Sequence, residues 1–188
     1  MAECENIRDL KHHDRAKSTE RFLDKDMIVN ALNIRPGQII LDAGCGNGYM
    51  AKEFAEQLED TGKVYALDPD EILIEILRSE TEGTVIEPFV GDITGQTTLE
   101  GSSIDLIYLS TVFHGFSENQ VVGFLKEVKR LLKAKGKLAI LEIEKEEIPF
   151  GPPLEIRFSP EELKERITLS PTDLVKAGQY FYMQIFEN

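Results

Sequence analysis

Short apolar runs alternate with amphipathic segments along most of the chain. The apolar runs predict buried strands, because uninterrupted apolar sequence suits a strand that is covered on both faces; they lie at 39–41, 63–67, 85–90, 104–109 and 137–143. Between them, apolar residues recur near the helical period and predict helices at 18–33, 49–59, 71–79 and 118–133. This alternation predicts a doubly wound α/β fold, with a parallel sheet and helices on both of its faces.

The helical segments also predict where helices start and which side chains they bury. Ser18 or Thr19 is expected to cap the first helix, since a hydroxyl can accept a hydrogen bond from an unpaired backbone N–H. The side chains expected to face the core include Phe22, Leu23, Ile72, Ile76 and Val122.

The carboxy-terminal part of the chain is more compressed. A proline-rich loop at 149–153 precedes Ser159 and Pro160, which are typical of a helix start and predict a helix to about Ile167. The alternating stretch 180–186 predicts a final strand. The segment 168–178 is short, so a strand there is left open.

The most informative stretch follows the first predicted strand. Gly44, Gly46 and Gly48 stand at alternate positions between that strand and the helix at 49–59. A strand, a glycine turn and a helix form the nucleotide-binding opening of doubly wound folds. Glycine suits this turn because it accepts positive φ and lets a ligand approach the backbone closely.

Two acidic residues narrow the ligand. A dinucleotide-binding turn follows G-x-G-x-x-G, but here the third glycine comes one residue early and Tyr49 fills its place. Asp42 ends the strand beside the turn, where a carboxylate would repel a pyrophosphate and attract an ammonium group. Asp68 follows Gly48 by 20 residues, at the spacing of an acidic residue that binds a ribose diol. The inferred ligand therefore has a ribose, a positive end and no phosphates, and S-adenosylmethionine fits that description.

The motifs LDAGCGNG, ALDPD, GDIT and IDLIYLSTVFH together resemble the class I S-adenosylmethionine-dependent methyltransferases, and within them the small type 11 proteins that act on metabolites. The resemblance covers about 34–144. It implies a Rossmann-like, mostly parallel sheet of seven strands, or of six if 168–178 forms none, with an antiparallel last strand.

The resemblance also implies cofactor-binding roles for particular residues. Asp42 and the glycines would hold the methionine end, Asp68 the ribose and Asp92 the adenine amino group. Ile93 would pack on the adenine ring, and Ser110 would border the sulfonium. The full expected set is Asp42, Gly44, Cys45, Gly46, Asn47, Gly48, Asp68, Pro69, Asp92, Ile93 and Ser110.

His114 is the candidate general base, because an imidazole has a pKa near neutrality and this one follows the fourth strand. A structural role for His114 is equally open. Tyr108 is expected in the core, and Cys45 is expected to be a small turn residue, since no base is paired with it. Three further side chains, Phe150, Arg157 and Phe158, either line an acceptor pocket or pack the loop.

Length and charge limit the other possibilities. A chain of 188 residues is expected to form one domain. Residues 1–17 are expected to be a flexible leader or, as the resemblance implies, a lid, and 145–158 is a candidate acceptor loop. A net charge of −13 disfavours nucleic acid and anionic lipid as partners. Without an apolar signal or membrane segment, a cytoplasmic location is expected. Cys4 and Cys45 are expected to be free thiols, and His12 and His13 are not expected to bind a metal.

These observations predict a methyltransferase that uses S-adenosylmethionine, releases S-adenosylhomocysteine and acts on a small molecule. The residues after the fourth strand are Ser-Thr-Val-Phe, which differ from the N/D-P-P-Y/F/W motif of enzymes that methylate amino groups of nucleic acids. Two alternatives stay open: a non-catalytic protein of this fold that binds a partner, and a nicotinamide-dependent oxidoreductase. A homodimer in which a second copy completes the acceptor pocket is also open.

Overall fold

The computed structural model describes residues 21–188, with a seven-stranded sheet at its centre. The strands are β1 (Ile39–Ala43), β2 (Lys63–Asp68), β3 (Ile86–Val90), β4 (Ile104–Ser110), β5 (Leu132–Ile143), β6 (Ser170–Lys176) and β7 (Phe181–Glu187). The helices are α1 (Lys25–Leu32), α2 (Tyr49–Gln57), α3 (Glu71–Glu80), α4 (Glu118–Leu131) and α5 (Pro160–Arg166), with single 3₁₀ turns at Phe113–Gly115 and Leu154–Ile156.

The strand order is β3-β2-β1-β4-β5-β7-β6, in which β1 to β5 pair in parallel and β7 is antiparallel to both of its neighbours. The predicted doubly wound fold and the antiparallel last strand are therefore confirmed. The open question of a strand within 168–178 is also answered, since β6 forms the edge of the sheet. Pro171 is tolerated in β6 because an edge strand need not donate every backbone N–H.

Helices cover both faces of the sheet. The first apolar cluster includes Ile28 of α1, Phe54 of α2 and Leu77 of α3. The second includes Phe124 of α4 and Leu163 of α5, on the opposite face. Within the described part of the chain, no helix is both long enough and apolar enough to cross a membrane.

The first helix starts later than the sequence predicts. Its cap is Asp24, whose side chain accepts the Met27 N–H at 3.0 Å, and Phe22 and Leu23 precede it. Leu23 instead forms a bridge with Gly178. The prediction that Phe22 and Leu23 are helical is therefore wrong, because this segment pairs with the β6–β7 turn. The predicted caps Ser18 and Thr19 lie outside the described residues.

Strand β5 begins five residues before the predicted start at 137. It follows α4 without a loop, since Leu132 already pairs with Ile104 of β4. The register then shifts before Lys137 pairs with Leu106, and Lys135 within this irregularity has a φ of 62°. Pairing with β4 imposes an extended backbone here that the local sequence does not favour.

Three predicted core positions on α3 and α4 lie outside the buried faces of these helices. In α3, Ile72 is 54% and Ile76 46% exposed, while Ile74 and Leu77 are buried. In α4, Val122 is 68% exposed. These three predictions of core positions are wrong, because an apolar stripe wider than the contact leaves its edge residues in solvent.

Helix α4 approaches the loop after β3 unusually closely. A capping box formed by Ser117 and Gln120 starts this helix. One turn later, a Cβ added to Gly123 would overlap the backbone carbonyl of Thr94. Gly123 therefore lets α4 pack directly on the segment that follows Asp92.

We predict that Gly123→Ala destabilises the protein, although alanine is the better helix former by about 1 kcal/mol. The added methyl group must displace either α4 or the Thr94 carbonyl, at a cost of about 1–3 kcal/mol. Thermal denaturation should show a decrease in Tm of about 2–4 °C for each kcal/mol lost.

The matched control is Val122→Ala, at the neighbouring exposed position of the same helix. It should keep or slightly raise the Tm. A rise in Tm for both variants would show that the contact between Gly123 and Thr94 does not constrain the helix.

Candidate functional site

The glycine turn connects β1 to α2 with a backbone conformation that residues other than glycine rarely adopt. The φ angles of Gly44, Gly46 and Gly48 are 76°, 54° and 76°. The carbonyl of Leu67, in β2, accepts the N–H groups of Gly44 and Cys45 at 2.7 and 3.0 Å. The turn is therefore fixed against the end of the neighbouring strand, as a site at the carboxyl ends of parallel strands requires.

Asp68 links this turn to the next helix. Its Oδ2 accepts the Gly46 N–H and its Oδ1 accepts the Asp70 N–H, each at 2.9 Å. Asp70 in turn caps α3 through the N–H groups of Ile72 and Leu73. A carboxylate offers about four acceptor positions, which is more than these two backbone contacts use. Asp68 thus lies where a ribose diol could bridge the turn and α3.

Asp42 is a buried carboxylate at the end of β1. It is 2% exposed, and its Oδ2 has no hydrogen-bond partner within residues 21–188. Burial, reinforced by the negative charge of Asp68, raises the pKa of Asp42 to about 7, against a lowering effect of the Ala51 N–H. An unpaired buried carboxylate is costly, and an ammonium group placed here would supply the missing partner.

The strand neighbour of Asp42 is Tyr108, which pairs with it in the register of β1 and β4. Tyr108 is fully buried, as predicted for a core residue, and its ring packs edge-on against Phe54 at 5.1 Å.

Asn47 lies within the glycine turn, and its side-chain oxygen accepts the Tyr49 N–H at 3.0 Å.

A cavity of about 260 Å³ lies next to the glycine turn. Asp92 is at its rim, and the Asp92 carboxylate accepts both the N–H and the hydroxyl of Thr94, at 2.8 and 2.7 Å. Ile93 is 5% exposed and packs into the core behind it. The lining residues are Gly44, Leu67, Pro69, Gly91, Asp92, Ile93, Val112, Gly115, Phe116 and Gln120. Apolar side chains from several loops, with a carboxylate at one side, suit a flat heterocycle that bears an amino group.

The part of this lining that comes after β4 is not predicted from the sequence. Val112, Phe116 and Gln120 face the cavity, and a Cβ added to Gly44 would lie 2.7 Å from Val112. No local pattern marks these residues, because only the turn after β4 brings them beside the glycine turn.

Cys45 lies in the glycine turn and is 8% exposed. Burial, with the nearby charges of Asp42 and Asp68, raises the pKa of the Cys45 thiol. The thiol therefore stays protonated, which agrees with a packing role and not a nucleophilic one. Cys4 lies outside the described residues.

The chain turns sharply after β4. Ser110 is the half-buried last residue of that strand, and Thr111 has a φ of 55°. The Thr111 N–H donates to the Leu141 carbonyl of β5 at 2.8 Å. This turn directs the following residues back over the carboxyl end of β5.

There His114 contacts Glu142, a fully buried residue of β5. The His114 Nδ1 lies 2.8 Å from Glu142 Oε2, and the His114 backbone N–H donates to Oε1 at 3.2 Å. Burial lowers the pKa of His114, but the hydrogen bond and charge of Glu142 outweigh it, so the pKa lies above its ordinary value. Arg157 opposes this shift. Glu142 is not among the residues predicted from the sequence, although it is a lone acidic residue in the apolar run 138–143 and could have been identified by that.

Arg157 is 95% buried and organises the loop after β5. Its guanidinium donates to the carbonyls of Glu144, Glu146, Phe150 and Pro152, at 2.7 to 3.2 Å. Phe150 stacks on Phe22 at 5.0 Å between ring centroids, and Phe158 packs edge-on against Phe113 at 5.2 Å. These contacts show Arg157, Phe150 and Phe158 in packing roles.

The structure thus gathers the predicted residues at the carboxyl ends of β1, β2, β3 and β4, and adds Glu142 of β5. The unpaired carboxylate of Asp42, the Asp68 carboxylate and the apolar cavity fit the ammonium, ribose and adenine parts of S-adenosylmethionine. Within residues 21–188, no group of three or more His, Cys, Asp or Glu side chains could hold a metal ion; His12 and His13 lie outside them.

Comparison with known proteins agrees with this geometry. The ubiquinone/menaquinone biosynthesis C-methyltransferase UbiE of Paraburkholderia phytofirmans is 30% identical over 122 residues, 64% of this chain and 49% of that protein. The 2-phytyl-1,4-naphtoquinone methyltransferase of Trichormus variabilis is 27% identical over 125 residues, 63% of this chain and 52% of that protein. The chain therefore spans about half the length of these curated relatives.

A SAM dependent methyltransferase from Aquifex aeolicus has a similar solved structure, with a TM-score of 0.78 and 25% identity over 88% of this chain and 90% of that one. A family model described as "Methyltransferase domain" matches residues 40–136, more than half of the chain. Family and fold together identify S-adenosylmethionine as the cofactor. The chain therefore belongs to the methyltransferase domain family, with the fold of the S-adenosylmethionine-dependent methyltransferases.

Proposed function

We propose that the protein transfers a methyl group from S-adenosylmethionine to a small-molecule acceptor. The observation that carries this proposal is the Asp42 carboxylate, which is buried beside the glycine turn and has an oxygen without a partner in the described chain. A dinucleotide would place its negatively charged pyrophosphate at this turn, where the carboxylate would repel it, whereas S-adenosylmethionine would place its ammonium group there.

Different residues would bind different parts of the cofactor. Asp42 would bind the ammonium group, and the backbone of Gly44 to Gly48 would approach the methionine end closely. Asp68 would accept hydrogen bonds from the ribose hydroxyls. Asp92 would accept one from the adenine amino group, with Ile93 and Pro69 against the ring. Ser110 ends β4 between these groups and His114.

When bound, S-adenosylmethionine supplies a methyl group on a positively charged sulfur, ready for transfer to an electron-rich atom. The protein contributes mainly by holding the two reactants in line, which accounts for much of the acceleration in such reactions. His114 would accept a proton from the acceptor at Nε2, since its Nδ1 is engaged by Glu142. The imidazolium formed is stabilised by the Glu142 charge.

We further propose an acceptor with an acidic ring hydroxyl. A neutral amine already carries a nucleophilic lone pair, and a thiol ionises more readily than a phenol, so a paired histidine is most useful to a hydroxyl. The names of the curated relatives describe methylation in quinone chemistry, on carbon in the case of UbiE. Ionisation of a ring hydroxyl makes the neighbouring ring carbon nucleophilic as well as the oxygen, so a base acting on that hydroxyl suits both kinds of transfer. The loop 145–158 would border this acceptor, because Arg157 holds that loop near His114.

The proposed function is tested first by calorimetric titration with S-adenosylmethionine, S-adenosylhomocysteine and NAD. Binding of the first two without NAD is expected, and binding of NAD alone would contradict the proposal. Transfer of a radiolabelled methyl group to 1-naphthol should then exceed transfer to 1-naphthylamine, and His114→Asn should lower it by about 10²–10⁴-fold. Absence of binding to both sulfur compounds would favour a partner-binding role.

Asp68→Ala is predicted to weaken S-adenosylmethionine binding by about 2–4 kcal/mol, the value of one or two charge-assisted hydrogen bonds. Asp70→Ala is the matched control, because it removes a neighbouring carboxylate that caps α3. It should cost about 1 kcal/mol of stability and leave the affinity unchanged. Equal losses of affinity in both variants would show that Asp68 acts only through the local structure at the start of α3.

Asp42→Asn is predicted to stabilise the ligand-free protein and to weaken cofactor binding. With a folded pKa near 7 against 3.8 in the unfolded chain, the folded state binds more protons between these values, so stability falls as pH rises through them. The amide removes this penalty, which is on the order of 2–4 kcal/mol above pH 7.

Denaturation at pH 4 and pH 8 checks this prediction, because the advantage of Asp42→Asn should appear at pH 8 and disappear at pH 4. The exposed Asp26→Asn should show neither effect. Calorimetry should show affinity for S-adenosylmethionine lower by at least about 10-fold in Asp42→Asn, as expected for a lost hydrogen bond between charged groups. Unchanged affinity would place the ammonium group elsewhere.

A further inference from the structure

Glu142 is an ionisable side chain that the fold buries completely. It lies in β5 between the core residues Leu141 and Ile143 and is 0% exposed. A buried carboxylate costs several kcal/mol unless its charge is compensated by hydrogen bonds or an opposite charge. Within residues 21–188, no lysine or arginine forms an ion pair with Glu142, and its one ionic partner there is His114.

Both carboxylate oxygens are used by the same residue. Oε2 faces the His114 ring nitrogen Nδ1 at 2.8 Å, and Oε1 accepts the His114 backbone N–H at 3.2 Å. An ionised carboxylate can only accept, so Nδ1 must carry a proton. In the neutral ring the other nitrogen, Nε2, is then an unprotonated acceptor. No hydrogen bond to Nε2 occurs in the described chain, and the side chain is 17% exposed.

We propose that Glu142 is a positioning residue, which fixes the orientation and the tautomer of His114 so that Nε2 is the atom that accepts the acceptor's proton. This inference rests on the proposed function and adds a residue that acts through His114. In the step it supports, the acceptor O–H bond breaks, the proton forms a bond to Nε2, and the electron pair stays on the acceptor. Glu142 itself neither gains nor loses a proton.

The turn that carries His114 also borders the cofactor cavity. Val112, Gly115 and Phe116 line that cavity, while His114 between them contacts Glu142. The Thr111 N–H is anchored on Leu141, the residue before Glu142. The two-point contact with Glu142 therefore sets the ring's position relative to the cofactor as well as its protonation.

Other charged or titratable groups near this pair are accounted for. Arg157, on the segment after β5, lowers the pKa of His114 and donates to backbone carbonyls. Tyr182 of β7 pairs with Glu142 in the sheet, but its hydroxyl donates to the Phe158 carbonyl at 2.8 Å. Neither group replaces the contact between Glu142 and His114.

Glu142→Gln tests the proposal because an amide of the same shape cannot accept both hydrogen bonds. If the amide oxygen accepts the His114 backbone N–H, the amide NH₂ faces Nδ1 and requires an unprotonated Nδ1. The neutral ring must then carry its proton on Nε2, where it cannot act as a base. The opposite orientation of the amide would bring two donors together.

Nitrogen-15 NMR of the imidazole reports the tautomer directly and needs neither acceptor nor cofactor. The chain has three histidines, so His12→Gln with His13→Gln leaves His114 as the sole imidazole. In this background we expect a pyrrole-type signal from Nδ1, a pyridine-type signal from Nε2 and a titration midpoint above the ordinary value. Glu142→Gln should exchange the two signal types and lower the midpoint.

Tyr182→Phe is the matched control, since it alters the strand neighbour of Glu142 and keeps the carboxylate. It should leave both the signals and the midpoint unchanged. The measurement on the parent background decides the matter even if Glu142→Gln fails to fold, because a proton on Nε2 of its neutral ring would overturn the proposal. Unchanged signals in a folded Glu142→Gln would overturn it too.

Kinetics extends the test once a methyl acceptor is identified. Glu142→Gln should lower kcat by at least about 100-fold, as expected for loss of a general base, with unchanged affinity for S-adenosylmethionine. An unchanged kcat would overturn the positioning role. Failure of the proposed function is seen separately, in the calorimetric titration, whereas the NMR signals report only on Glu142 and His114.

Discussion

Hydrogen bonds from β1 to both β2 and β4 bring the carboxyl ends of these three parallel strands together along one side of the sheet. Ala43 of β1 pairs with Leu67 on one side and with Leu109 on the other. The chain leaves β1 toward one face of the sheet and leaves β4 toward the other, which opens a crevice between them. Asp42, Asp68 and Ser110 all lie at these carboxyl ends. The remaining candidate residues are placed by the loops that continue from these strands.

The site contains buried charges that the fold compensates in different ways. Arg157 donates to four backbone carbonyls, and Glu142 accepts from two nitrogens of His114. Asp42 alone of these three has a buried oxygen without a partner in the described chain. A fold selected only for stability gains nothing from such a group, so this local cost agrees with a ligand-binding role.

The turn after β4 joins the cofactor cavity to His114 at some cost in backbone strain. Thr111 is β-branched and has a positive φ, a conformation that costs about 1–3 kcal/mol. Its N–H bond to Leu141 and the burial of Phe113 hold the turn in place. The ring of Phe113 contacts those of Phe116, Phe124 and Phe158. Packing of Phe113 on the α4 side of the sheet therefore offsets the conformational cost of Thr111.

The sequence by itself determined the features that depend on neighbours along the chain. Apolar runs indicated the parallel strands, and alternating glycines indicated the turn after β1. The spacing of Asp68 and the position of Asp92 placed both at strand ends. Local patterns sufficed because strand burial, turn conformation and helix capping act over a few residues.

Tertiary structure alone decided the features that depend on distant contacts. Because it pairs with β4, β5 begins earlier than the sequence predicts. Leu23 is not helical because it pairs with Gly178 in the β6–β7 turn. Glycine is required at position 123 only because the Thr94 backbone lies against it. Glu142 and His114 are 28 residues apart and meet only because β4 and β5 are adjacent. No periodicity encodes such contacts, since they follow from how completed elements pack together.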